Sequence, residues 1–358
     1  MSSVVLNLES DVVELTRVIC DIESVSGNEK ALADAIEAAL GKYSHLEVIR
    51  DGDAIVARTN LGRAKRVVIA GHIDTVPVAN NLPTKFINGD SVLFGRGTVD
   101  MKAGVAVQLK LAATATAPEN DVTWIFYDHE EVESTLNGLG RLSRNRPELL
   151  ESSFAVLCEP TSAQVEGGCN GTMRIDLKFR GVKAHSARPW MGKNAIHAAS
   201  EALDILAAYK PAEIDVDGLV YRESLNAVLI NGGIATNVIP DEVTVTVNYR
   251  FAPSKSAVDA EAHLREIFSG MEFEVTDMAV GARPGLDREE AKSFVAATKT
   301  QAKPKYGWTD VARFSALGIP AVNFGPGDPS KAHADDESVL VSEIYACEVA
   351  LKAWLGVG

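Results

Sequence analysis

The chain has 358 residues, 23% of them charged and 46% hydrophobic, with a formal net charge of −14. This composition excludes a disordered, collagen-like or disulfide-stapled chain, and the length accommodates two domains, each with its own core. The acidic balance, with Lys and Arg scattered along the chain, excludes nucleic acid as an expected partner. Cys20, Cys158, Cys169 and Cys347 show no CxxC spacing, which suits idle thiols in a reducing compartment. The opening stretch MSSVVLNLESDVVELTR places Glu9, Asp11 and Glu14 where a signal peptide would be apolar. With no run near the roughly 18 apolar residues of a membrane span, the expectation is a cytoplasmic protein with no membrane partner.

Residues 9–21 and 29–40 repeat apolar positions at helical spacing and predict two surface helices. Short apolar runs follow at 67–71 (VVIAG), 122–127 (VTWIFY), 154–158 (FAVLC) and 321–324 (AVNF). Such continuous runs predict strands buried on both faces of an α/β sheet, with 101–117 as a crossover helix. From about 171 the pattern changes to strict alternation: Met173, Ile175, Leu177 and Phe179 share one strand face, as do Val243, Val245, Val247, Tyr249 and Phe251. With helices at 193–209 and 256–269 and strands near 224–236, 241–251 and 271–279, the order is β-α-β-β-α-β, the ferredoxin-like pattern. PAEIDVDG (211–218) reads as a loop. The fold class is therefore α/β: a discontinuous catalytic domain, 1–171 and 286–358, with a mixed central sheet covered by helices and an inserted ferredoxin-like α+β domain at 172–285.

The chemistry is written at the ends of the buried runs. His72 and Asp74 follow the first, Glu130 and Glu131 the second, Glu159 the third, and His333 lies in the loop after the fourth; Asp100 closes the glycine-punctuated FGRGTVD. Open α/β sheets bind ligands outside the carboxyl ends of their strands, so these groups can converge. Imidazole and carboxylate without thiolate suit zinc or a similar divalent ion. The number of donors suits two ions sharing a carboxylate, the co-catalytic arrangement of hydrolases, rather than one tetrahedral ion. Adjacent strand residues point to opposite faces, so of Glu130 and Glu131 one is expected to ligate and the other to act as general base. Asp74 is placed to orient the His72 ring. His129 is expected to serve packing, His197 and His263 read as surface or core imidazoles in helical segments, and His45 reads as a loop residue. His185, in GVKAHSARPW, is open on these grounds between a surface role and a functional one. Gly95-Arg96-Gly97 lacks the spacing of a dinucleotide fingerprint.

GHIDTVP, GRGTVDMK, DHEEVES, CEPT, HSARP, NVIPD and His333 together resemble the dizinc amidohydrolases, the family that includes aminoacylases, acetylornithine deacetylase, carboxypeptidases and succinyl-diaminopimelate desuccinylase. Within it, GHIDTVPVANNLP, KYGWTDVARF and NFGPGDP look most like the actinobacterial desuccinylases. The resemblance implies two zinc ions (Zn2+), with cobalt (Co2+) able to substitute at one. Asp100 would bridge them, His72 and Glu159 would hold one, Glu131 and His333 the other, and Glu130 would be the base. It implies that the inserted domain is a lid and homodimerisation module, that His185 reaches the partner subunit's active site to stabilise the oxyanion, that Asn237 and Arg250 meet substrate, and that the peptide after Asp100 is cis.

The implied activity is hydrolysis of N-succinyl-LL-2,6-diaminopimelate to succinate and LL-2,6-diaminopimelate, in lysine and cell-wall precursor synthesis. The alternatives are N-acetylornithine deacetylase, or a dipeptidase or aminoacylase of the same family; a further rival is a non-catalytic binding protein, which would be expected to have lost Glu130 or a ligand. The chain departs from the better-known desuccinylases in EGGCNGT (166–172), which has no cation, in Trp308 of YGWTD, and in Arg188 after the lid histidine. Recognition of the small N-acyl amino acid substrate then falls to Arg188, Arg250 and Arg283, whose guanidinium groups bind carboxylate bidentately, with Trp308 and Thr309 beside them.

Overall fold

The computed structural model describes residues 5–357; the first four residues of the opening stretch and Gly358 lie outside the described residues. The chain divides into two compact units, Met1–Gly167 with Pro284–Lys303 and Arg313–Gly358, and Gly168–Arg283 with Pro304–Ala312. The segment 304–312, expected in the larger domain, thus belongs with the smaller one. Local hydrogen bonds account for it: the Asn170 amide donates to the Lys305 carbonyl at 3.2 Å, and the Trp308 indole donates to the Val280 carbonyl at 3.0 Å.

The first unit is built on a mixed eight-stranded sheet. Its order is Glu47–Asp51, Ala54–Arg58, Asp121–Tyr127, Arg66–His72, Phe154–Leu157, Ala321–Asn323, Glu166–Gly167 and Lys303–Pro304. The third to sixth strands run parallel and are the apolar runs read from sequence. Buried on both faces, they need helices above and below. Those helices include Val12–Cys20, whose Asp11 cap accepts the Val13 amide at 2.9 Å, and Lys102–Thr114, buried along most of its length.

The second unit carries a four-stranded antiparallel sheet in the order Ser224–Gly232, Glu242–Phe251, Gly171–Arg180, Phe273–Ala279. Numbered along the chain, its strands lie 4-1-3-2 across the sheet, with the helices Ala195–Ala198, Ser200–Ala208 and Ala257–Ile267 completing β-α-β-β-α-β. The alternating residues Ile175, Leu177, Val245, Val247 and Tyr249 are fully buried and form its core. PAEIDVDG is not a loop: Glu213–Val216 pairs with Leu219–Arg222 in a hairpin. Asp217 and Gly218 both take positive φ, 54° and 87°, and Asp-Gly is a preferred pair for such a turn.

Gly104 sets how closely the Lys102–Thr114 helix approaches the sheet. A Cβ there would lie 2.3 Å from the Cys158 carbonyl oxygen and 2.8 Å from Cys158 Cβ. Gly104→Ala gains about 1 kcal/mol of helix propensity, yet overpacking typically costs about 1–3 kcal/mol. Because the clash is with backbone, a net loss of stability is expected as a lower urea midpoint; an unchanged or higher midpoint would show that the helix can retreat.

Candidate metal centre

Every residue read as a metal ligand lies in the first unit. His72 is the last residue of its strand, Asp100 stands two residues before the Lys102–Thr114 helix, and Glu159 follows the strand Phe154–Leu157 and is buried. The central parallel strands therefore deliver their donors in the same direction. Glu130 and Glu131 do not follow the expected strand alternation. The strand ends at Tyr127, so strand alternation does not govern these two residues. His129 takes φ of 58°, and both following amides turn onto one acceptor: Asp74 Oδ1 accepts from Glu130 N and Oδ2 from Glu131 N, each at 3.1 Å.

His72, Asp100 and Glu131 each offer a ligand atom within 4.8 Å of the others. His72 Nε2 lies 3.0 Å from Asp100 Oδ1, while His333 Nε2 lies 3.4 Å from Asp100 Oδ2 and 3.0 Å from Glu131 Oε2. Asp100 thus presents one oxygen to each of two imidazoles. The Asp100–Met101 peptide is cis. On its other edge, His72 Nδ1 faces the Asp74 carbonyl at 3.1 Å and the Asp74 carboxylate at 3.4 Å. An Nδ1–H donated there leaves Nε2 directed at the cluster as a ligand lone pair. Ser26, which sequence reasoning passed over, donates its hydroxyl to Asp74 Oδ2 at 2.6 Å. His129 Nδ1 lies 2.7 Å from Asp128 Oδ2, and its amide is bound to the buried Glu29 carboxylate.

Charge follows the same geometry. Burial alone would raise the Asp74 carboxyl, but hydrogen bonds from His72, Ser26 and the Glu130 amide outweigh it and hold it at about 2. Burial likewise opposes ionisation of Asp100, and the two histidines overcome it. Asp100 and Glu131 raise His333 to about 10, and Asp100 and Asp74 raise His72 against a burial penalty. Imidazole and carboxylate donors drawn this close together fit divalent cations of the zinc type, which take these ligands.

The second unit holds the remaining candidates. Ala184–His185 pairs with Val238–Ile239, and the Ser186 amide donates to the Asn237 carbonyl at 2.9 Å, so His185 and Asn237 are neighbours. The exposed His185 ring accepts the Ala187 amide at Nδ1, 3.1 Å away, which places the proton of a neutral ring on Nε2. Arg188 is exposed. Arg250 is half-buried and donates to Asn248 Oδ1 at 3.1 Å; burial lowers its pKa. Thr309 is buried and Trp308 partly so. The fork of Arg283 is already occupied, donating twice to the Asp217 carboxylate.

The chain belongs to peptidase family M20/M25/M40, which it matches over residues 68–356. It is 51% identical over 354 residues to the "Putative succinyl-diaminopimelate desuccinylase DapE" of Mycobacterium tuberculosis, covering 98% of this chain and 99% of that one. It is 46% identical to the succinyl-diaminopimelate desuccinylase of Corynebacterium glutamicum, covering 98% and 97%. Among solved structures, a tripeptidase from Staphylococcus aureus aligns with a TM-score of 0.77 at 21% identity, covering 98% of each chain. The Bacillus subtilis YXEP protein, a dinuclear metal binding peptidase from the M20 family, aligns at 0.70 and 15%, covering 97% of each. No helix among the described residues is long and apolar enough to cross a membrane.

The raised pKa of His333 has a definite sign. Its ion pairs stabilise the metal-free fold fully below the ordinary histidine value of about 6.5 and are lost as pH rises through about 10. A cation must displace that proton, so zinc uptake near pH 7 should release protons. Calorimetric titrations of metal-free protein in buffers of different ionisation enthalpy should give different heats; identical heats would contradict the protonated state of the cluster.

Proposed function

We propose that this chain is a metal-dependent amidohydrolase that hydrolyses the succinyl amide of N-succinyl-LL-2,6-diaminopimelate, releasing succinate and LL-2,6-diaminopimelate. The observation that carries the chemistry is Asp100, whose two oxygens face two different imidazoles; the substrate reading is supported by the 51% and 46% identities over nearly full length. Two ions, zinc with cobalt able to replace one, would be held by His72 and Glu159 on one side and Glu131 and His333 on the other, with Asp100 shared. Such a pair, when bound, polarises an amide carbonyl and lowers the pKa of water.

The chain's own groups do the rest. Glu130 takes the proton of the attacking water and passes it to the nitrogen of the departing amine. Asp74, by holding the Glu130 and Glu131 amides together, sets the separation of base and ligand. His185, contributed by a second copy, donates Nε2–H to the carbonyl oxygen as charge grows there, a contribution of about 2.7–4 kcal/mol per donor in other acyl-transfer sites. Arg188 and Arg250 bind the substrate's outlying carboxylates, and Asn237, Trp308 and Thr309 also meet substrate. The enzyme works in the cytoplasm.

Glu130→Gln keeps the shape of the side chain and removes the base. Turnover of the succinyl amide, followed by the freed amine, should fall by about 10²–10⁴-fold while metal content stays at the parent value. Activity near that of the parent would remove Glu130 from the base role. Faster cleavage of N-acetylornithine or a dipeptide by the parent would move the substrate reading to another member of the family.

A homodimer is supported by the edge strand Ser224–Gly232, where Val228, Leu229 and Ile230 are each more than half exposed, and by the exposed Ile196 and Leu203 on the neighbouring helical segments. Such an apolar edge invites pairing with a second copy. Leu229→Glu should halve the mass seen by light scattering, leave zinc content unchanged, and depress turnover by roughly 10²–10³-fold through loss of the second copy's donor. A parent that is already monomeric would refute both expectations.

A further inference from the structure

Arg96 and Glu337 form an ion pair whose side chains are 3% and 1% exposed, with Arg96 Nη1 2.7 Å from Glu337 Oε2. A buried pair of this kind is weak evidence for stability, since well-packed apolar residues often serve as well. Its other bonds point to a different task. Glu337 Oε1 accepts the Val99 and Asp100 amides at 2.9 and 3.1 Å, and its backbone carbonyl accepts the Gly95 amide at 3.0 Å. Arg96 Nε donates to the Pro77 carbonyl at 3.1 Å and Nη1 to the Ala334 carbonyl at 3.3 Å. Pro77 lies on the segment that begins at His72 and Asp74, and Ala334 adjoins His333. One ion pair thus ties together three separate segments, each carrying a candidate ligand.

We infer that Arg96 and Glu337 are positioning residues for the metal pair: they hold the Asp100 backbone so that its carboxylate faces His72 and His333 together. The inference rests on the metal reading of the cluster. It assigns Arg96 a geometric role, since a planar guanidinium can serve the Pro77 and Ala334 carbonyls and the Glu337 carboxylate at once, whereas an ammonium presents a point charge. Glu337 likewise acts through two backbone amides and touches no ligand side chain in these bonds.

The test uses two conservative variants of the full chain, Arg96→Lys and Glu337→Gln, with zinc affinity measured by chelator competition and the cobalt-loaded absorption spectrum as a report on ligand geometry. Both variants should bind zinc about 10- to 100-fold more weakly with an altered cobalt spectrum, while circular dichroism of the metal-free protein matches the parent. A folded variant of either kind with zinc affinity within twofold of the parent and an unchanged spectrum overturns the inference. Should neither variant fold, hydrogen exchange of the parent decides. Zinc should slow exchange of the segment 95–101 at least tenfold if Glu337 links those amides to the ligands, and unchanged exchange overturns the role. A parent that binds no zinc refutes the metal reading and this inference with it; a parent that binds zinc beside variants that bind equally well refutes this inference alone.

Discussion

The architecture answers to one constraint, that a single half-buried carboxylate must meet two imidazoles far apart in the chain. Asp100 does so at 3.0 and 3.4 Å, in surroundings where an unpaired carboxylate would be costly. Neither partner can be local. His72 arrives on a central strand and His333 on a loop after another, so the contact exists only when the parallel sheet is complete. The close approach at Gly104, on the helix that follows Asp100, therefore bears on the site as well as on the core.

Much of this was legible because buried strands announce themselves. The runs at 67–71, 122–127, 154–158 and 321–324 are apolar on both faces, and polar residues following such runs stand at the sheet's carboxyl edge. His72 and Glu159 were read from that alone, Asp100 from the glycine-punctuated loop that opens the following helix. The smaller unit was legible for the opposite reason: one wet face imposes alternation, and Ile175, Leu177, Val245 and Val247 fell on the buried side. The Asp217-Gly218 hairpin carried a readable turn signal that a polar composition masked.

What stayed hidden was set by contacts rather than by pattern. A period of two holds only while the chain remains a strand, and past Tyr127 the direction of Glu130 and Glu131 is decided by His129 at positive φ and by the Asp74 acceptor. The placement of 304–312 with the smaller unit follows from backbone bonds to Asn170 and from the Trp308 indole, which no spacing encodes. Arg96, between two glycines, carries no spacing that names a partner. Its partner stands far along the chain, and only the fold shows that the pair spans three donor-bearing segments.

Asp74 shows how such a site resolves competing demands on one side chain. Its carboxylate approaches His72 Nδ1 at 3.4 Å, yet its shorter bonds are to Ser26 at 2.6 Å and to two consecutive amides at 3.1 Å. With those donors in place it stays ionised at about 2 despite burial, so it can polarise the imidazole without taking the proton. The same bonds fix the backbone of the two glutamates. One ionised group thereby joins the His72 ring to the backbone of Glu130 and Glu131, and a change at Asp74 would disturb both at once.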